Sequence, residues 1–522
     1  MWSARATHPP SASSPSQVGG LADVVTGLAR AHQATGTLAE LVLPKYDCGD
    51  YSALTDLRVL GQLSVPWRGG LAPVAVWAAV CGGVPAYLLE PAPAGGGGAP
   101  PFWRGAFYCG PDDASRFLLF AAAAVEFLAW SGRAPDVVHA HDWQAAAVPL
   151  LLRLGGPGGP GGAALPRALS ARPATVLTIH NLAFQGRTNP DSLADVPALA
   201  PGALPAWAAA ALADPRAGPG GQPDANLLKA AIETCDMVTT VSSTYAEEVV
   251  RPGGGHGLER ALAAAARSNR FVGVVNGIDI DAYDPMHDDA LPMPYDASNA
   301  AAGKAAAKAA LLAEVGLTPT TPPSPLLAVV SRLTDQKGVA LFEAGIAAAV
   351  EGGAQVVVLG TAPDPAVDAR FRAAAAAASS GNSARYCMFF SEALSRRIYA
   401  GADMILMPSL WEPCGLAQLL ALRYGAVPIA RRTGGLAATL TDLDDAGAPE
   451  HARAAFLFDE PTAAECARAV RRALAARAAP GGAAWWDAAL APRAMRQDWS
   501  WARSAATYLG LYRAAAARRP QA

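Results

Sequence analysis

A chain of 522 residues with 41 Lys and Arg against 44 Asp and Glu is too long for one core. Its net charge of −3 gives no bulk attraction to nucleic acid or to an anionic membrane. The 52% hydrophobic share is inflated by alanine, and no uninterrupted apolar run of about 20 residues appears, so no membrane span is expected. Seven scattered cysteines without a CxxC pair argue against structural zinc or a disulfide framework and fit a reducing compartment.

Residues 1–17 are Ser/Pro-rich, contain Arg5 and no acid, and are compatible with an organelle transit segment. Val18-Gly19-Gly20-Leu21-Ala22-Asp23 then opens a helix over Thr26–His32, where two glycines let backbone N–H groups approach a ligand. The residues before this loop are too rich in Ser and Pro to supply the buried parallel strand that a nucleotide-binding βα unit needs. Strands are expected at Leu38–Pro44, Ala72–Val80 and Pro85–Glu90, and an apolar helix at Ser115–Trp130. Three Gly/Pro-rich stretches, 94–101, 155–162 and 215–223, read as flexible surface insertions.

Four further strands end in polar residues: Val137–His141 with Asp142, Thr175–Ile179 with His180 and Asn181, Met237–Val241 with Ser242, and Phe271–Val275 with Asn276. Together they predict a crevice at one edge of a sheet. Alternation along the strand is read as sending His139 and His141 to opposite faces, one of them buried, and no metal site is expected there. The proline-rich stretch 286–325, broken only by the alanine-rich helix Ala300–Val315, is the expected inter-domain linker.

A second βα alternation follows: strand Leu326–Val330, loop Ser331–Gly338, helix Val339–Val350, strand Val356–Gly360, helix Ser391–Ala402 and strand Met404–Met407. Pro408 and Ser409 stop that last strand, and a helix begins near Leu416, so Glu412 stands on a strand-to-helix turn where ligands of parallel sheets collect. Arg332 and Lys337 leave one strand end together and could hold a diphosphate, one as a fork and one as a point charge. Gly434-Gly435 opens a further helix on the same side. Neither a Walker P-loop nor a G-x-S-x-G elbow is present.

The segments Val18–Val25, Leu43–Cys48, His139–Gln144, His180-Asn181 with Gln185-Gly186, Val275–Asp279, Ser331–Leu333 with Gln336–Gly338, Ser391–Leu394, Glu412–Leu416, Thr433–Leu436 and Asp498–Trp501 resemble, in order, the starch and bacterial glycogen synthase family. Lys45–Cys48, Phe102–Gly105 and Arg431–Thr433 resemble most the plant and algal soluble starch synthases of classes III and IV, with class IV favoured. The resemblance implies an α/β GT-B fold, two Rossmann-like doubly wound domains facing across a cleft that closes to exclude water. It divides the chain into 1–285, a linker 286–325, a nucleotide-sugar domain 326–497 and a helix 498–522 crossing back to the first domain. It implies retaining transfer of glucose from ADP-glucose to the non-reducing end of an α-1,4-glucan, in a plastid, with no metal or cofactor. His141, Arg332, Lys337 and Glu412 would carry catalysis. Gly19, Gly20, Asp23, Asp112, His180, Asn181, Asn276, Ser409, Cys414, Gly415, Leu416, Thr433, Gly434 and Gly435 would line the substrates. Competing expectations are a weakly catalytic glucan-binding scaffold and another GT-B enzyme using a UDP-sugar. One departure stands out: the family has Lys immediately before Val-Gly-Gly, and here that position is Gln17. The family's opening strand is therefore expected to lie outside this sequence, leaving its neighbours short of a ladder partner, with poor stability and little activity.

Overall fold

The computed structural model describes residues 21–52, 54–93, 100–108, 110, 112–155, 172–217 and 223–518. They form two compact units. The first runs to Val241, resumes over Ala246–Gly277 and takes the chain from Trp501 onward; the second holds Ser242–Tyr245 and Ile278–Ser500.

The second unit is built on a seven-stranded parallel sheet. Its order is Ala384–Cys387, Gln355–Leu359, Leu326–Val330, Met404–Met407, Val427–Arg431, Arg453–Phe458 and Thr441–Asp442. Gln355–Leu359 and Met404–Met407 are buried throughout and, after Gln355, read as unbroken apolar runs, as strands covered on both faces must. The chain winds from Leu326–Val330 outward to Ala384–Cys387, then returns to pair Met404–Met407 on the other side of the starting strand. The direction of winding thus reverses between Leu326–Val330 and Met404–Met407, which opens a crevice at their carboxyl ends.

The stretch 286–325 is not a linker; it belongs to the body of this unit. Helix Ala300–Val315 ends on Gly316 in the left-handed conformation and buries Ala307, Leu311 and Leu312 in the core. Its two lysines fasten it. Lys304 Nζ donates to the carbonyls of Ala400, Ala402 and Tyr424 at 2.8, 2.9 and 3.2 Å. Burial pulls its ammonium down to about 7. Lys308 Nζ meets Asp403 Oδ2 at 2.7 Å, and Arg477 reaches the other oxygen of Asp403 at 3.1 Å. The alanine-rich sequence hides this anchoring, because the groups that hold the helix in the core are cations.

The first unit has two four-stranded sheets. One runs Leu41–Pro44, Val84–Pro91, Gly70–Cys81, Leu54–Trp67; the other, all parallel, runs Phe271–Gly273, Met237–Thr240, Ala174–Ile179, Val137–His141. Among the described residues Leu41–Pro44 pairs only with Val84–Pro91, and Val137–His141 only with Ala174–Ile179, so both are sheet edges. Helix Leu21–Ala34 packs Ala22, Val25 and Ala29 against the first sheet and turns Val24 and Leu28 toward Val274 and Trp501. Helix Trp501–Ala517 covers the second sheet through Tyr508, Tyr512 and Ala515. The Gly/Pro-rich stretch 215–223 is flanked by strand structure rather than being a plain insertion, since Ala213–Ala217 and Pro223–Asn226 pair antiparallel; residues 94–99, 156–162 and 218–222 of the expected insertions lie outside the described residues.

Removing the carboxylate in Asp403→Ala takes an ion-pair partner from two largely buried cations, leaving Lys308 with Ser324 O and Arg477 with Asp487. The expected cost is roughly 3–5 kcal/mol of unfolding free energy, read from urea denaturation of the whole chain. A loss below about 1 kcal/mol contradicts the anchoring role.

Candidate active site

At the winding reversal of the second unit two loops meet. One leaves Leu326–Val330 and carries Arg332, Gln336 and Lys337; the other leaves Met404–Met407 and carries Ser409, Trp411 and Glu412. They are laced by backbone: Leu410 N donates to Gln336 O at 2.8 Å, and Gln336 Nε2 to Trp411 O at 3.2 Å. Across this seam Lys337 Nζ forms an ion pair with Glu412 Oε2, which also accepts from Ser409 Oγ at 2.8 Å. The Glu412 side chain is 6% exposed, so these two donors take the place of water around its carboxylate. Arg332 is exposed and makes no ion pair among the described residues.

Two glycines permit the approach of these loops. A Cβ on Gly338, at φ 76°, would stand 2.6 Å from Pro408 O; one on Gly435 would stand 1.8 Å from Cys414 O. Gly435 N instead donates to Glu412 O at 2.7 Å, which draws the turn bearing Cys414, Gly415 and Leu416 onto the start of helix Gly434–Thr439, which follows Thr433. Gln418 fastens the same turn through Cys414 O and Gly415 O at 3.0 and 2.9 Å. Arg332, Lys337, Ser409, Glu412, Cys414, Gly415, Leu416, Thr433, Gly434 and Gly435 therefore all lie at the carboxyl side of one sheet. Gln336 and Gln418, which close the seam, were not among the expected site residues; Gln336 sits inside a recognised motif and Gln418 two residues beyond one, and neither carries a charge to draw notice.

In the first unit, His139 and His141 share one face, correcting the expectation of opposite faces. Residues two apart on a strand point the same way, and the rings lie 4.2 Å apart. His139 is held by Tyr512 Oη at 2.9 Å and Thr178 Oγ1 at 2.6 Å. His141 Nδ1 meets His180 Nε2 at 3.0 Å. Asp142, at φ 56°, turns its carboxylate to accept from His180 N at 2.7 Å, capping the neighbouring strand end. Asn181 turns back on its own loop, Oδ1 accepting from Ala183 N at 3.0 Å. Asn276 is buried, and its Oδ1 has no hydrogen-bond partner among the described residues. Asp112 pairs with Arg104 at 3.0 Å on the exposed approach, and Asp23 is exposed in the first turn of helix Leu21–Ala34. Gly19 and Gly20 lie outside the described residues.

A cavity of about 1110 Å³ opens beside these groups in the first unit, lined by Trp143, Phe184, Arg187, Asp191, Arg216 and His256. Its wall rests on buried Asp214, which pairs with Arg187 at 3.0 Å and Arg216 at 2.7 Å and accepts from Asn226 at 3.0 Å. Sequence reasoning missed this wall because Asp214 adjoins, and Arg216 lies within, a stretch read as an insertion. Among the described residues no cluster of three His, Cys, Asp or Glu could hold a metal, and no helix is long and apolar enough to cross a membrane.

Comparison with known proteins now decides the family. Residues 11–264 match the starch synthase catalytic domain, and 324–476 match glycosyl transferases group 1. The chain is 37% identical to glycogen synthase 2 of Geobacter sulfurreducens over 96% of both chains. It belongs to the starch synthase and bacterial glycogen synthase family. It is 36% identical to probable starch synthase 4 of Arabidopsis thaliana, chloroplastic/amyloplastic, covering 95% of this chain but 45% of that protein. The chain thus spans less than half of that plant relative and nearly all of the bacterial one. It superposes on the catalytic domain of Arabidopsis starch synthase IV bound to ADP and acarbose with a TM-score of 0.85, at 35% identity, over 96% of this chain and 97% of that one. The fold is that of a GT-B glycosyltransferase.

Burial holds His139 and His180 down to about 3 and His141 well below its ordinary value; burial also lowers His32. His139, His141 and His180 stay neutral in the folded state while the unfolded chain protonates near 6.5. Their contribution to stability is therefore complete above pH 6.5 and lost as pH falls, by about 1.4 kcal/mol per pH unit per group. Asp142, pushed up to about 7 by burial, works in the opposite sense, but it is one group against three. Urea midpoints are expected to fall steadily from pH 7 to pH 5; a flat or rising profile contradicts the burial of the histidine row.

Proposed function

We propose that this protein transfers glucose from ADP-glucose to the non-reducing end of an α-1,4-glucan with retention of configuration. The observation that carries the reading is the meeting of Arg332, Lys337 and Glu412 at the winding reversal of a parallel sheet. A diphosphate leaving group gathers negative charge as the glycosidic bond breaks, and preorganised cations there stabilise the transition state more than the ground state. Arg332 serves as the open fork for the diphosphate, while Lys337 reaches it as a point charge. Glu412, oriented by Lys337 and Ser409, takes the hydroxyls of the transferred glucose, and Cys414, Gly415, Leu416, Thr433, Gly434 and Gly435 complete the donor pocket.

In the first unit His141, paired with His180, is a neutral hydrogen-bonding group suited to a sugar hydroxyl. Asn181, Asn276 with its unpartnered oxygen, Asp112 and Asp23 belong to the same sugar-facing set, as do Gly19 and Gly20 of the opening loop. The cavity beside Trp143 offers an aromatic wall and paired charges to an acceptor glucan. That a related catalytic domain is bound to ADP and acarbose supports both halves of the reading. The two cations take the place a metal would fill, so no metal or organic cofactor is called for. Plant relatives bear chloroplast or amyloplast labels, which supports a plastid setting.

The reading is tested by incubating the full chain with ADP-[¹⁴C]glucose and glycogen. Label is expected in the polymer with equimolar ADP release. Glycogen binding without turnover favours the scaffold, and turnover with UDP-glucose but not ADP-glucose favours the other GT-B enzyme. Arg332→Ala is expected to lower kcat by roughly a hundredfold or more with folding unaltered; a loss under threefold removes Arg332 from the site. Excess EDTA is expected to leave the rate unchanged, and its abolition by EDTA contradicts metal-free charge stabilisation.

A further inference from the structure

Three aromatic rings gather on one ammonium where the chain leaves strand Leu41–Pro44. Lys45 Nζ lies 4.7 Å from the ring centre of Trp77, 5.6 Å from that of Trp103 and 5.7 Å from that of Tyr51. Glu90 closes the cluster. Its Oε1 accepts from Lys45 Nζ at 2.9 Å and Trp103 Nε1 at 3.0 Å, and its Oε2 from Trp77 Nε1 at 2.7 Å. Lys45 and Glu90 are largely covered, with side chains 13% and 14% exposed, yet Trp103 is 42% exposed.

An exposed tryptophan ordinarily keeps its rotamer freedom. Here the polar edge of the ring is tied to Glu90, and both flanks of the residue are anchored. Phe102 is fully buried against Tyr46 and Phe117, with ring centres 5.3 and 5.7 Å apart. Gly105 N donates to both carboxylate oxygens of Asp47, at 2.9 and 3.1 Å. The cation–π contact with Lys45 uses one face of the Trp103 ring; it gives no reason to hold the rest of the indole open to water. A fixed open face loses little entropy when something stacks on it.

The neighbouring groups define the ligand's chemistry. The loop carries an exposed carboxylate at Asp47 and the exposed Arg104–Asp112 pair, planar groups that bind adjacent hydroxyls. An apolar ring face bordered by bidentate polar groups matches a pyranose, whose C–H groups form one surface and whose hydroxyls form the rim. We propose that Trp103 is a stacking platform for a glucose unit of an α-glucan chain, with Arg104, Asp112 and Asp47 taking hydroxyls of that unit. This rests on the glucan reading above.

The test is affinity electrophoresis of the full chain through glycogen-containing gels, together with calorimetric titration with maltoheptaose. The parent is expected to be retarded. Trp103→Ala is expected to bind maltoheptaose roughly threefold to tenfold more weakly, with its melting temperature close to the parent's. Arg104→Ala, which leaves the aromatic cluster intact, is expected to weaken binding in the same direction. Should Trp103→Ala fail to fold, Trp103→Phe, with a smaller face and no indole N–H, is expected to show a partial loss. Unchanged affinity in a folded Trp103 variant overturns the platform and leaves the glucan reading standing. A parent that neither binds glycogen nor elongates it overturns both.

Discussion

The ion pair between Lys337 and Glu412 is the contact on which the second unit's site depends. It joins the loops that leave two neighbouring strands, and it does so where the winding of the sheet reverses. A carboxylate buried this deeply is tolerable only with its donors in place, and removing one partner of a buried pair costs far more than an exposed pair is worth. Everything nearby serves that approach. Gln336 laces the loops, Gly338 and Gly435 make room for backbone, and Gln418 fastens the turn behind Glu412. At the opposite end of the strands, Asp403 and its cations tie the starts of those strands together, with Leu326 N donating to Asp403 Oδ2 at 2.7 Å.

The first unit is organised by neutral polar groups instead. His139, Thr178, Thr239 and Tyr508 form a chain of side-chain hydrogen bonds under helix Trp501–Ala517, and Thr178 and Thr239 stand 2.6 Å apart. Such a row is stable only while every member stays satisfied and uncharged. The His141–His180 pair extends it toward the strand ends, where Asp142 ties down the backbone of the adjacent loop. In the function proposed above, phosphate chemistry would draw on the cations of one unit, and sugar recognition on the hydrogen-bonding groups of the other.

Much of this was legible in sequence because parallel strands and caps write strong local signals. Leu326–Val330, Met404–Met407 and Ala300–Val315 have the ends that their apolar runs and flanking Gly and Pro predict. The cluster of Arg332, Lys337 and Glu412 could be found because each follows a buried strand. What failed has physical causes. The stretch 286–325 looked like a linker because its anchors are buried lysines and Tyr295, whose Oη bonds Tyr424 O at 2.9 Å, all invisible without partners. Strand Leu54–Trp67 was missed because Gly61 and Pro66 interrupt it and most of its first half is exposed. The hairpin signal was present at Arg68-Gly69, both with positive φ. The Asp214 wall needed long-range pairing that no local pattern encodes.

The most direct test of the account is a double-mutant cycle on Lys337→Met and Glu412→Gln, read as kcat for transfer from ADP-glucose to glycogen. If the pair acts as one unit, the double variant is expected to lose little more than the worse single variant, with a coupling of roughly 1–3 kcal/mol. Losses that simply add contradict the claim that this contact organises the site.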